Sequence, residues 1–183
     1  MQYPQHLKPF DRFLRVLYLG NLSMAEPIEE FATWCITGVA AIVALMLANL
    51  EAISKIVGDS SLRWGIVLLT TSILFGVVAK QLGIGIRKGI GLLESLYAEL
   101  STPEGQAAIA ESDVKPEDVP AKIAEPYLWP LKRVMLSSAK KGSSDAIAGE
   151  KRFVRLLCVQ MYASFLQGLC GISGILTLAL GIK

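Results

Sequence analysis

The sequence predicts an all-α, polytopic integral membrane protein: three transmembrane helices, an N-terminal amphipathic helix and helical cytoplasmic extensions. Two observations carry that reading. The 183 residues are 52% hydrophobic and only 19% charged, with mean hydropathy +0.48, whereas a water-soluble domain carries about 25% charged residues. The shortage is also uneven: charges vanish from three long stretches and crowd into the rest, as expected when lipid solvates part of a chain.

Residues 1–30 read as an amphipathic arm. Phe10, Phe13, Leu14, Leu17, Tyr18 and Leu22 recur at helical spacing, with Asp11, Arg12 and Arg15 on the other side. Such a helix lies in the membrane interface or packs on the protein's own cytoplasmic helices. Val16–Leu22 followed by Ser23-Met24-Ala25 resembles a short signal region, but Arg15 borders it and Asn21 interrupts it, so no cleavage is expected. Asn21-Leu22-Ser23 fits a glycosylation acceptor, which a cytoplasmic position would leave unmodified. Pro27 and the carboxylates Glu26, Glu29 and Glu30 suit the N-terminal end of the next helix.

The first transmembrane helix is expected over 31–54, because Phe31–Leu50 is twenty residues without a charge. That is about the number needed to cross a ~30 Å hydrocarbon core. Gly58-Asp59-Ser60-Ser61 then turns the chain back. The second span is expected over 63–86. Its charge-free core, Trp64–Ala79, is short, and reaches adequate length if Lys80 snorkels to the headgroups. Trp34 and Trp64 suit opposite interfaces.

Residues 87–152 are expected to form a cytoplasmic helical region. Ile86, Ile90, Leu93, Tyr97 and Leu100 form a seam that would carry the second helix past the membrane. Short helices and turns should follow among Pro116, Pro120, Pro126 and Pro130, with a loop at Lys140–Asp145. The third span, 153–183, contains twenty-seven uncharged residues, Leu156–Ile182, more than a bilayer needs. Fifteen of the eighteen Lys and Arg residues lie in the N-terminal arm and between Lys80 and Arg155. The positive-inside rule therefore predicts a cytoplasmic N-terminus and an external C-terminus; a bacterial inner membrane is the setting expected.

Small residues mark where helices could meet. Ala40, Ala44 and Ala48 lie four apart on the first span, Gly85 and Gly89 form a GxxxG pair, and Ser164, Gly168 and Gly171 lie on the third. In lipid, small faces permit close approach. Gln160, Ser164 and Gln167 form a polar stripe, suited to interhelical hydrogen bonds or to lining a wet path. Arg87 and Lys88 could meet anionic headgroups.

Enzymatic chemistry is not expected. The glycine run 83–91 is GxGxxxGxG, neither a dinucleotide fingerprint nor a Walker loop. The lone histidine, His6, leaves no histidine-based triad within the spans and disfavours zinc or haem ligation. Cys35, Cys158 and Cys170 have no CxxC spacing and read as packing residues. No catalytic residue, cofactor or metal is assigned. A net charge of +2 gives no reason to expect nucleic acid as a partner. The partners expected are the lipid bilayer and further copies or other membrane subunits.

The function this suggests is a non-enzymatic membrane subunit that assembles through small-residue helix faces in a transport, secretion or envelope complex. The alternatives are a homo-oligomeric pore or channel of holin or defence type, and a lipid-interacting enzyme or flippase-like factor.

Overall fold

A computed structural model describes residues 9–100, 102–105, 107, 125, 129, 133 and 147–182. The described elements are α-helices: α1 (Pro9–Leu22), α2 (Ala25–Ala48), α3 (Leu50–Ile56), α4 (Asp59–Leu100) and α5 (Ala148–Leu180). Three stretches, Phe13–Ala48, Asp59–Ser95 and Ala148–Leu180, are long and apolar enough to cross a membrane. The protein therefore has the architecture of a helical membrane protein. The proline-rich segment, the Lys140–Asp145 loop and His6 lie outside the described residues.

Helix boundaries follow local chemistry. The 31–54 stretch is divided between α2 and α3 because Asn49 leaves the helical region (φ −118°, ψ 26°). Its backbone N–H and its side-chain amide both donate to the Leu45 carbonyl, at 3.1 and 2.9 Å. An asparagine that doubles up on one carbonyl competes with the helical ladder. α2 also begins before the first charge-free residue, at Ala25, and takes Glu26, Glu29 and Glu30 into its first two turns. Gly58 closes the turn into α4: its N–H donates to Gly181 O at 2.9 Å, beside an antiparallel bridge between Val57 and Ile182.

The chain divides into two compact units. One comprises Met1–Asn21 and Gly89–Val154. Within it, the aromatic ring of Phe153 fills the space a Cβ would take at Gly89, and Gly149 lies against Leu93. Ile90 and Leu93 of the expected seam are half-buried there.

The other unit comprises Leu22–Lys88 and Arg155–Lys183 and holds α2, α3, most of α4 and most of α5. Its interior is written in sevens. α2 buries Ala25, Ala32, Val39 and Met46, each seven residues after the last. α4 buries Leu62, Gly65, Leu69, Ser72, Gly76, Ala79, Gly83 and Ile86, in alternating steps of three and four. α5 does the same through Leu157, Gln160, Ser164, Gln167, Gly171 and Gly174. This is the seam of helices crossing at small angles with knobs-into-holes packing. Its apolar part at one end gathers Val39, Met46, Val57, Leu62 and Leu69; elsewhere Ala32, Ala79 and Ala163 meet as an all-alanine contact.

Candidate functional site

The α4–α5 contact within the second unit is a ladder of small against large. A Cβ added at Gly65 would lie 2.6 Å from Leu178, and one at Gly174 would lie 3.0 Å from Leu69. Gly171 faces Ser72, Gly76 faces Gln167 and Gly83 faces Gln160. As positions rise on α4 they fall on α5, so the two helices are antiparallel and in strict register. Each glycine removes the side chain that would hold the helices apart, and the partner fills the space. Without a hydrophobic drive in lipid, such contact is what joins helices.

Gln160 and Gln167 extend the ladder to α2. Gln160 Nε2 donates to Ala25 O, and Gln167 Nε2 donates to Ala32 O, each at 3.0 Å. Both donors and both acceptors are seven apart, so α2 and α5 run parallel with the same offset at each tie. Ser72 Oγ donates to the backbone carbonyl of Gln167 at 2.7 Å. Gln167 therefore joins all three helices: α4 reaches it through its carbonyl, and its amide reaches α2. Gln160 and Gln167 are 0% and 1% exposed and Ser164 is 6% exposed, so the polar stripe is turned into the chain's own bundle. Such interhelical bonds average about 0.6 kcal/mol and reach ~2.

A charged layer lies next to Gln160. Arg87 places Nη1 3.3 Å from Glu26 Oε1 and Nη2 3.0 Å from Glu29 Oε2. Glu26 and Glu29 are three apart and share one face of α2, which is what lets one guanidinium take both. Gly83 sits between Gln160 and the Glu29 stem. The headgroup candidate Arg87 is thus engaged by carboxylates, while Lys88 is exposed.

The remaining candidates divide. Gly89 and Gly171 pack against side chains, whereas Gly85 and Gly168 meet nothing within 4 Å. Ala40, Ala44 and Ala48 are all exposed, and Gly38 beside them has open space. α2 therefore turns its small-residue face away from the bundle. The glycines that do bring helices together, Gly65, Gly76 and Gly83, had a signal in the sequence. They fall on one three–four register with Leu62, Leu69, Ser72, Ala79 and Ile86, which GxxxG counting passes over.

Among the described residues, no group of three His, Cys, Asp or Glu side chains could hold a metal. Cys35, Cys158 and Cys170 are free thiols. No family model matches this chain, and no curated protein or solved structure matches it either.

Proposed function

We propose that this protein is a non-enzymatic subunit of a membrane assembly, joined to copies of itself or to other membrane subunits through the outward small-residue face of α2. One observation carries the reading. Ala40, Ala44 and Ala48, four apart on α2, form a face that no element among the described residues covers. A lone lipid-facing helix gains nothing from small side chains, whereas a helix receiving a partner gains close approach. The setting is a transport, secretion or envelope complex of a bacterial inner membrane. The N-terminus is cytoplasmic and the C-terminus external, in keeping with the lysine and arginine distribution.

The test is native mass analysis of the chain purified in gentle detergent, with and without Ala44→Leu. The expected result is a defined assembly that the leucine disperses while helicity is retained. A chain that runs alone in both forms, in several detergents and in lipid discs, would remove the proposal.

A further inference from the structure

α1 turns a charge inward and aromatic rings outward. Arg15 is 7% exposed and Glu150, in the first turn of α5, is 2% exposed; Arg15 Nε lies 3.0 Å from Glu150 Oε1. Both residues belong to the same compact unit. On the opposite side of α1, Phe10, Phe13, Val16 and Leu17 are 67%, 59%, 49% and 46% exposed. Asp11, Leu14 and Tyr18, on the Arg15 side, are half-buried.

If water alone surrounded α1, apolar burial would choose the other orientation. Two phenyl rings, a valine and a leucine would face the chain, and the guanidinium would reach water on its flexible stem. The two orientations differ by on the order of half a turn about the helix axis. A guanidinium taken out of water is costly unless a well-placed counter-charge meets it, and Glu150 supplies that charge.

We infer that the Arg15–Glu150 ion pair is an orientation key: it sets the rotation of α1 and so presents the Phe10, Phe13, Val16 and Leu17 face outward. A buried ion pair adds little net stability compared with a well-packed apolar pair, but it penalises every arrangement that separates its charges. Here the arrangement penalised is the one in which the aromatic face is docked and Arg15 has left Glu150.

The experiment uses the full chain in detergent, with Cys35, Cys158 and Cys170 replaced by alanine and one cysteine introduced by Phe13→Cys or Tyr18→Cys. The probe is N-ethylmaleimide, a small neutral reagent that adds to the thiolate, so that a thiol held out of water reacts slowly. In the otherwise native background, position 13 should react faster than position 18. With Arg15→Ala and Glu150→Ala together, the penalty is gone and no apolar side chain is added to the inward side, and position 18 should react faster than position 13. The charge-swapped pair, Arg15→Glu with Glu150→Arg, should restore the native order. The inference is overturned if the alanine pair leaves position 13 fast and position 18 slow. Rapid reaction at both positions also overturns it, because the pair would then hold α1 in place without choosing its rotation.

Discussion

The glycines of α4 and the alanines of α2 belong to the same class of residue and do opposite things. Gly65, Gly76 and Gly83 are buried, each with a large side chain from α5 in the space a Cβ would take. Ala40, Ala44 and Ala48 are exposed. Small size on a membrane helix thus marks a contact only when another helix lies opposite. Where none among the described residues does, the face is open to another molecule.

The largest effect expected from breaking this contrast is at Gly76. A Cβ there would collide with the Gln167 amide and lie 2.6 Å from Ile36, so a leucine must displace the amide from its place between the helices and push on Ile36 as well. Gly76→Leu should cost on the order of 3 kcal/mol, the upper end of overpacking penalties, or abolish the folded bundle. Reversible unfolding in mixed detergent–SDS micelles would measure it, and a near-native midpoint would show that the α4–α5 register is wrong.

Gln167→Leu comes next. It removes the amide tie to Ala32 O and should destabilise by about 1 kcal/mol, within the range of interhelical hydrogen bonds in membranes. Ser72→Ala removes the tie from α4 to the Gln167 carbonyl and should cost a similar amount. Because the two meet at one residue, a double-mutant cycle should show coupling between them. Strict additivity would argue against Gln167 as the common joint.

Gly85→Ala tests the contrast from the other direction. Gly85 sits inside α4 with nothing within 4 Å of a Cβ. Alanine there should stabilise the helix by about 0.5–1 kcal/mol, the usual gain from removing an interior helical glycine. A loss of stability would mean that a partner covers this position.

The smallest effect on the fold is expected at Ala44. Ala44→Leu should change the chain's own unfolding by no more than about 0.5 kcal/mol, as for other exposed substitutions, while dispersing the assembly. A large loss of intrinsic stability would place that face inside the bundle.

Chemistry that acts along one segment was legible in the sequence. Charge-free length pointed to three helices long and apolar enough to cross a membrane, because an unpaired backbone polar group in hydrocarbon is prohibitive and a helix satisfies its own. The turn at Gly58 was legible too, although Asp59, Ser60 and Ser61, expected in it, belong to α4. The division at Asn49 was not, since an asparagine within an apolar run reads as one more helical residue until its amide is seen on the Leu45 carbonyl. Nor was the inward turn of Arg15. Helical spacing separates the charged side of α1 from its aromatic side, but which side is buried shows only in the structure, where Arg15 meets Glu150, more than a hundred residues away in sequence.

By itself, then, the sequence determined that the chain is helical and which stretches lipid can solvate, since both depend on residues within a turn or two of one another. Only the tertiary structure decided which small residues are contacts, which glutamine reaches which carbonyl and where the charged layer lies. Each of those depends on the residue standing opposite on another helix. Register between helices is a property of pairs, and no single stretch of sequence carries it.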